Sequence, residues 1–232
     1  QAIARRLAAE GATVVVTDIH QTRTHKVATA IAADYPGATV VGYQLDSGDR
    51  DQIDAVVDSV SESLGPIQIL VNNAAVNVMG SIFDYDPANW DWCVRVNLTG
   101  PWYLCRRTMP LMREAGGGVV INIGSYAPDV GGYGLESPYA VTKGGLNALT
   151  RACAHEGARF GIRSNCISTG PVRGTKFVDD HPEVIAMPQV QTSMDLPNTS
   201  EVAELAAYLA SPRSRPITGE IINMAAGAYM RN

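Results

Sequence analysis

The chain has 232 residues, of which 46% are hydrophobic and 18% charged, so it carries enough apolar side chains to bury a substantial core. A formal net charge of −5 gives no electrostatic attraction for nucleic acid or for an anionic membrane, and we expect neither as a partner. The cysteines are widely spaced and form no CxxC motif, which argues against a zinc site and against a disulfide framework (Cys93, Cys105, Cys153 and Cys166). We therefore expect no metal. Because no apolar run reaches the roughly 18 residues that span a bilayer, we expect a cytoplasmic protein.

Apolar β-branched runs alternate with helical patterns along the chain, after an amphipathic helix at the start, QAIARRLAAEG. The predicted strands lie at 13–18, 38–46, 67–75, 118–125, 163–168 and 219–227. Between the second and third strands, apolar residues recur every three or four positions, which predicts a helix with one buried face (Ile53, Val56, Val57, Val60 and Leu64). Short strands joined by helical crossovers predict an α/β fold with a parallel sheet covered by helices on both faces. We expect a single domain over 1–232.

The stretch 170–199 is the most irregular part of the sequence, with four prolines and no clear period before the helical pattern SEVAELAAYLAS. It is compatible with a long surface connection. Insertions of this length in compact α/β domains are more often lids or binding loops. We predict a lid-like substrate segment at about 174–199.

A tyrosine and a lysine, Tyr139 and Lys143, lie four residues apart in a segment with helical spacing, so both side chains are expected on one face. A nearby ammonium stabilises a phenolate and lowers its pKa, which lets a tyrosine exchange a proton with an alcohol. Such a pair is weak evidence alone, since a surface aromatic beside a solvated lysine gives the same pattern. Ser125 adds weight because it ends a predicted strand, at the sheet edge where open α/β folds bind ligands. The same hydroxyl is alternatively a simple cap of the next loop.

Four motifs then occur in one order along the chain: LVNNAA (70–75), VNLTG (96–100), INIGS (121–125) and YAVTK (139–143). Together they resemble the short-chain dehydrogenase/reductase family, and the resemblance covers essentially the whole chain. It implies a Rossmann-type, doubly wound three-layer fold and a nicotinamide-dependent oxidoreductase. By this likeness Tyr139 is the general acid/base and Ser125 bonds the reacting oxygen. Lys143 holds the nicotinamide ribose and tunes Tyr139, and Asn97 supports a water-mediated proton relay, although an asparagine in a helix can also serve only the backbone.

The resemblance also places the coenzyme. Asp18 closes the strand 13–18, where a carboxylate accepts ribose hydroxyls and repels a 2′-phosphate, so we expect NAD rather than NADP. A helix cap is the alternative for Asp18, and Arg23 lies close by in sequence. Asp46 and Ser47 resemble the pair that contacts adenine, while Ser47 or Asp49 alternatively caps the next helix.

At the nicotinamide end, Asn73 and Ala74 match the part of the NNAG motif that lines the coenzyme cleft, with Ala75 in place of the usual glycine. Val172 matches the residue whose backbone meets the carboxamide. Tyr139 and Lys143 belong to the coenzyme site as well as to the catalytic one.

One part of the family pattern, the first strand with its TGxxxGxG turn, does not occur in these residues. QAIARRLAAEGATVV resembles the helix and second strand that follow it. In the family that strand lies between those predicted here at 13–18 and 67–75, so without it two rows of backbone groups are unpaired. We expect about 15–20 further amino-terminal residues in the natural protein, enough for a strand and a turn.

For the substrate, the predicted walls are 76–84, 126–137 and the stretch after Gly170, and they carry no tight basic cluster. This favours a small neutral polyol, sugar or hydroxyketone over a thioester on an acidic carrier protein. A 3-oxoacyl-thioester reductase is the enzymatic alternative, and a non-catalytic dinucleotide-fold binding module is the alternative from another class. The resemblance further implies a homotetramer or dimer that packs through helices around 98–115 and 138–158.

Overall fold

The computed structural model describes residues 1–191 and 194–230. Parallel strands form two groups, and β1 (Val14–Asp18) pairs with β2 (Val40–Gln44) in the first. The second group has the order β3-β4-β5-β6, and all its pairs are parallel. Its strands are β3 (Ile69–Asn72), β4 (Gly118–Ser125), β5 (Ile162–Thr169) and β6 (Ile221–Met224). The predicted parallel α/β architecture of Rossmann type is confirmed.

Helices connect these strands and cover both faces of the sheets. The longer ones are α1 (Ala2–Ala9), α2 (Gln21–Asp34), α3 (Arg50–Leu64), α4 (Pro87–Val94), α5 (Gly100–Glu114), α7 (Ser137–Gly157) and α10 (Thr199–Ala210). The shorter ones are α6 (Ala127–Val130), α8 (Lys176–Asp180) and α9 (Pro188–Gln191). A π-helix, Arg95–Thr99, joins α4 to α5, and short 3₁₀ turns occupy Gly131–Gly134, Ala158–Phe160, Pro182–Ala186 and Pro212–Ser214. None of the helices within the described ranges combines the length and apolarity that crossing a bilayer requires.

Two apolar layers hold the four-stranded sheet. Side chains of β4 alternate between them, so that Ile121 packs with Ile167 and Leu209 on the α10 face. Val120 packs with Met112 on the face covered by α5 and α7. Because β4 and β5 have neighbours on both edges and helices on both faces, they are buried along most of their length.

The predicted strand 67–75 ends early, at Asn72, because the chain leaves the β4 ladder at that residue. The predicted runs 38–46 and 219–227 are likewise longer than β2 and β6. Apolar residues that continue past a strand, such as the buried Leu45, pack into the core without belonging to the ladder. Periodicity located these strands but not their ends.

The gap between the two sheets lies between β1 and β3. By the family resemblance, these two strands flank the strand that carries the TGxxxGxG turn. Each of them has one sheet neighbour among the described residues. Helix packing joins the two halves instead: α1 lies against α10, and Arg6 Nε donates to Glu204 Oε1 at 2.7 Å. On the other face, Arg107 of α5 forms ion pairs with Asp54 and Asp58 of α3.

The segment after β5 folds into α8, a 3₁₀ turn and α9, so it is not an irregular loop. Its two ends are held together where Arg173 N donates to Pro197 O at 2.9 Å and the residue pair Arg173–Asn198 forms an isolated bridge. Val190 and Leu196 form a small apolar cluster with Ala228 from the C-terminal region. Residues 192–193 of the predicted lid lie outside the described residues.

Candidate active site

The carboxyl ends of the central strands place Ser125 and Tyr139 side by side. β4 ends at Ser125, which lies opposite Thr169 of β5 in the parallel register. Tyr139 is in the first turn of α7, a helix that packs against both strands. The Ser125 hydroxyl accepts a hydrogen bond from Ala127 N at 3.0 Å and hydrogen-bonds the Tyr139 side chain. The serine and the phenol therefore meet at one point on the sheet edge.

Lys143 lies one helical turn further along α7 and is 3% exposed. Its Nζ lies 5.5 Å from the centroid of the Tyr139 ring and donates to the carbonyl oxygen of Ile123 at 2.7 Å. Burial lowers the pKa of Lys143 from 10.5 to about 8, although the nearby Cys166 opposes the shift. The sheet thus anchors the ammonium directly below the tyrosine ring.

The pKa of Tyr139 is raised above its ordinary value. Burial is the main cause and the charge of Glu136 adds to it, whereas the hydrogen bond with Ser125 acts in the opposite direction. Lys143 is not among the causes of this shift, and its tuning of the Tyr139 phenol stays a prediction. At neutral pH the phenol is protonated and is ready to donate a proton.

Asn97 lies in the π-helix and is 1% exposed. Its Oδ1 accepts from Val76 N and its Nδ2 donates to Val76 O, both at 2.8 Å. Nδ2 also donates to Thr142 Oγ1 at 3.2 Å. The side chain therefore clamps the loop after β3 against α7. Single π-helical turns inside longer helices are frequent at functional sites.

Asp18 lies at the carboxyl end of β1, as predicted. Its Oδ1 accepts from His20 N at 2.9 Å and pairs with Arg23 at 3.0 Å. Oδ2 has no hydrogen bond to any residue that the structure describes, so it is available to a ribose hydroxyl. Since α2 begins at Gln21 without a side-chain cap, Asp18 is not the helix cap that was the alternative.

Asp46, Ser47 and Gly48 form the turn after β2. Asp46 Oδ1 accepts from Gly48 N at 2.8 Å, and Asp49, not Ser47, caps α3 by accepting from two backbone N–H groups. The Ser47 carbonyl lies against Gly100 so closely that a β-carbon at Gly100 has no room. An open cavity of about 390 Å³ adjoins this turn and is lined by Gly48, Asp49, Arg50, Asp51, Arg95 and Thr99.

Asn73 and Ala74 follow β3 and are exposed, whereas Val172 is buried in the short connection between β5 and the lid segment. Asp18 is the last residue of β1, and the Asp46–Ser47 turn, Asn73 and Ala74 follow the carboxyl ends of β2 and β3. Parallel α/β sheets bind dinucleotides at this edge. The donor set fits an adenosine ribose at one end and a nicotinamide riboside at the other. The described residues contain no glycine-rich turn for the pyrophosphate.

Sequence reasoning missed two polar groups. Asn72 Nδ2 donates to Asn122 Oδ1 at 2.8 Å, and Asn122 Nδ2 donates to Thr150 Oγ1 at 2.8 Å, which forms a buried link from β3 through β4 to α7. Glu136, just before α7, accepts a hydrogen bond from Asn77 Nδ2. The sequence does hint at Glu136, because a glutamate stands there at the position where a helix usually has a capping serine, threonine, asparagine or aspartate. No group of three or more metal-ligating side chains occurs in the described part of the chain.

Comparison with known proteins identifies the family. A family model described as enoyl-(acyl carrier protein) reductase matches residues 1–228. A (5R,7aS)-5-hydroxy-7a-methyl-1-oxo-2,3,5,6,7,7a-hexahydro-1H-indene-carboxyl-CoA reductase of Mycobacterium tuberculosis is 34% identical over 96% of this chain and 86% of its own. A 3-oxoacyl-(acyl-carrier-protein) reductase of Vibrio cholerae is 30% identical over 99% of this chain and 92% of its own.

A solved structure agrees with these relatives. It is a gluconate 5-dehydrogenase from Burkholderia cenocepacia in complex with NADP and tartrate. It superposes with a TM-score of 0.89 at 26% identity, over 98% of this chain and 89% of that one. The motifs, the fold, the family model and the relatives agree, and the chain belongs to the short-chain dehydrogenase/reductase family of NAD(P)-dependent oxidoreductases.

Proposed function

We propose that the protein interconverts a secondary alcohol and a ketone, with Tyr139 as the general acid/base. When bound, the nicotinamide dinucleotide supplies or accepts the hydride. In reduction the Tyr139 phenol donates its proton to the carbonyl oxygen, and in oxidation it takes the proton back. Ser125 hydrogen-bonds the same oxygen and orients it. Lys143 holds the nicotinamide ribose, and Asn97 supports the proton relay that restores the phenol.

The contact between Ser125 and Tyr139 above a buried lysine carries this proposal. The two hydroxyls hydrogen-bond each other, so one substrate oxygen can reach both. The raised pKa of Tyr139 keeps it protonated at neutral pH, which supports proton donation to a ketone. A scaffold protein has no need for all four of the proposed catalytic residues.

For the coenzyme we propose NAD in preference to NADP, held by Asp18, Asp46, Ser47, Asn73, Ala74, Tyr139, Lys143 and Val172. The negative charge of Asp18 at the ribose position supports this preference, because it repels a 2′-phosphate. Arg23, 3.0 Å from Asp18, offers a phosphate some attraction, and the gluconate 5-dehydrogenase structure contains NADP. Specificity constants for NADH and NADPH with one ketone test the preference directly.

For the substrate we propose a neutral polyol, sugar or hydroxyketone, with the segment at about 174–199 as its lid. A 3-oxoacyl-thioester reductase is the second candidate. It is favoured by two relatives whose names specify thioesters and by exposed apolar side chains that suit an acyl chain (Met79, Ile82, Phe83 and Leu135). Initial rates with a panel of polyols, hydroxyketones and 3-oxoacyl thioesters separate these substrate classes.

The test of catalysis is Tyr139→Phe, which removes the acid/base but keeps the ring. We expect a rate loss of at least about 100-fold with nearly unchanged NADH affinity, measured by turnover and by NADH fluorescence. Binding of NADH by the wild type without turnover of any alcohol or ketone favours the non-catalytic binding module.

We further propose a homotetramer or dimer that packs through α5 and α7. Exposed apolar residues on these helices, Trp102 and Val141, support this surface. Sedimentation velocity gives the assembly size. All four cysteines are buried and none forms a disulfide among the described residues, which supports the cytoplasm as the compartment.

A further inference from the structure

Glu136 places a carboxylate beside the proposed acid/base. It is three residues before Tyr139 and directly precedes the first turn of α7. Burial is the main reason why the pKa values of Tyr139 and Tyr126 are raised, and the charge of Glu136 adds to the shift at both phenols. None of the roles proposed above uses this carboxylate.

The loop after β3 holds Glu136 on one side. Asn77 Nδ2 donates a hydrogen bond to Glu136 Oε1. The backbone reinforces the contact, because Gly80 N donates to Leu135 O at 2.8 Å and Gly80 forms a parallel bridge with Glu136. Two of the predicted substrate walls, 76–84 and 126–137, are therefore tied together at this carboxylate.

A left-handed turn encloses Glu136 on the other side. Gly131, Gly132, Tyr133 and Gly134 have φ values of 67°, 62°, 50° and 85°. A β-carbon at Gly132 would lie 2.8 Å from Glu136 Cβ, so glycine is needed both for its φ and for this contact. Tyr133 has no such freedom, and non-glycine residues in this conformation cluster at active sites and ligand clamps. Its ring meets that of Tyr126 edge-on, with centroids 6.2 Å apart.

The enclosed carboxylate keeps acceptor capacity. An ionised carboxylate accepts about four hydrogen bonds, and Glu136 receives the one from Asn77 among the described residues. Burial raises its pKa, while Asn77 and the imidazole of His181 in the lid segment oppose that shift. A hydroxyl that enters beside Tyr139 finds an acceptor here, whereas a substrate carboxylate meets a like charge.

We propose that Glu136 is a specificity-determining residue whose carboxylate accepts a hydrogen bond from a hydroxyl on the carbon next to the reacting carbon. The site then favours α-hydroxy ketones and vicinal diols and rejects 2-oxo acids. This inference rests on the proposed function, since it needs the substrate oxygen at Ser125 and Tyr139.

Three small ketones test it, because they differ in the group beside the carbonyl: acetoin has a hydroxyl-bearing carbon, 2-butanone a methylene and pyruvate a carboxylate. We expect the wild type to reduce acetoin about 10- to 100-fold more efficiently than 2-butanone, the range for one hydrogen bond to a charged group. Glu136→Leu should abolish this preference, so that the ratio of kcat/KM for acetoin to kcat/KM for 2-butanone falls to about one. Glu136→Gln, which keeps an acceptor without the charge, should retain part of the preference and gain activity towards pyruvate.

Glu62→Gln is the matched control, since it removes an exposed glutamate carboxylate from α3, outside the proposed site, and should change none of the ratios between the three ketones. If Glu136→Leu lowers kcat/KM for all three ketones by the same factor, Glu136 only holds the two substrate walls together, and the inference is overturned. A wild type with no preference for acetoin or no activity on either acetoin or 2-butanone would also overturn it. Turnover of any other secondary alcohol that is lost in Tyr139→Phe would still support the proposed function, so the two failures are distinguishable.

Discussion

Gly100→Ala tests whether the loop that follows β2 is locked against α5. A β-carbon at Gly100 lies 2.9 Å from the Ser47 carbonyl carbon and closer still to its oxygen. Since non-bonded carbons pack at about 3.5–4.0 Å, one segment must withdraw by roughly half an ångström or more. Both sides of the contact are backbone, so no side-chain rotation relieves it.

The loop resists that movement at both ends. Asp46 Oδ1 accepts from Gly48 N at 2.8 Å, and Asp49 caps α3. Overpacking of this kind costs about 3 kcal/mol, and replacing a helical glycine by alanine returns about 1 kcal/mol. We therefore expect a net loss of about 2 kcal/mol, which lowers Tm by about 4–8 °C in a chain of this size. The KM for the dinucleotide should rise, because the proposed adenine contacts lie on the displaced loop.

Gly144→Ala is the matched control for this experiment. A β-carbon at Gly144 meets Pro128 Cβ at 3.6 Å, an ordinary contact, within the helix α7. It should raise Tm by about 2–4 °C through helix propensity alone. Thermal unfolding by circular dichroism measures both variants. If Gly100→Ala unfolds at or above the temperature of Gly144→Ala, the locked contact does not exist.

Three further predictions concern the site. Lys143 has a pKa of about 8 when folded and 10.5 in an exposed lysine, so the unfolded chain binds more protons between these values and stability rises with pH across that window. Lys143→Met should therefore be about 2 kcal/mol more stable than wild type below pH 8, a figure that allows for the lost hydrogen bond to Ile123. This difference in the free energy of unfolding, measured by urea titration, should shrink as the pH rises towards 10. Asn97→Ala leaves Val76 N unpaired and Val76 O with only the weak Cys93 thiol donor, and it should cost about 1–3 kcal/mol in the same assay. Asp18→Ala should reduce the ratio of kcat/KM for NADH to that for NADPH by about 10-fold or more.

Specific outcomes contradict each of these. A stability difference between Lys143→Met and wild type that does not vary from pH 7 to 10 means that the lysine is not desolvated. An Asn97→Ala variant as stable as wild type removes the proposed clamp on the β3 loop. An unchanged coenzyme ratio in Asp18→Ala excludes this carboxylate as the ribose acceptor.

Sequence patterns located the sheet well because most of its strands contain consecutive β-branched residues. Strand β4 has the predicted bounds, since β5 pairs with it along its whole length, from Gly118 to Ser125. β3 ends three residues before the predicted limit, at Asn72, because the ladder stops where the chain turns towards the cleft. Periodicity reports burial, and burial continues past the last ladder residue.

The catalytic positions could be predicted because they occur in motifs with fixed spacing, and the structure brings Ser125, Tyr139 and Lys143 together. The raised pKa of Tyr139 could not, because it depends mainly on how deeply the folded chain buries the phenol. Glu136 could not be predicted for a related reason. Its position in the site depends on the hydrogen bond from Asn77, which is distant in sequence, and on the close contact with Gly132, which has no side chain. Periodicity did not predict the helices of the lid segment, because α8 has five residues and α9 four, too few to show a helical repeat.

The reversed handedness at Gly131–Gly134 bears on how this enzyme could be re-engineered. Three of these four positions are glycines and Tyr133 shares their left-handed φ, so a new side chain at one of the glycines costs roughly 1–2 kcal/mol of folding stability. The facing wall, 76–84, has no positive φ angle and offers a much wider choice of side chains. Libraries aimed at new substrates are therefore best concentrated on that wall, with the glycine turn kept as a fixed template.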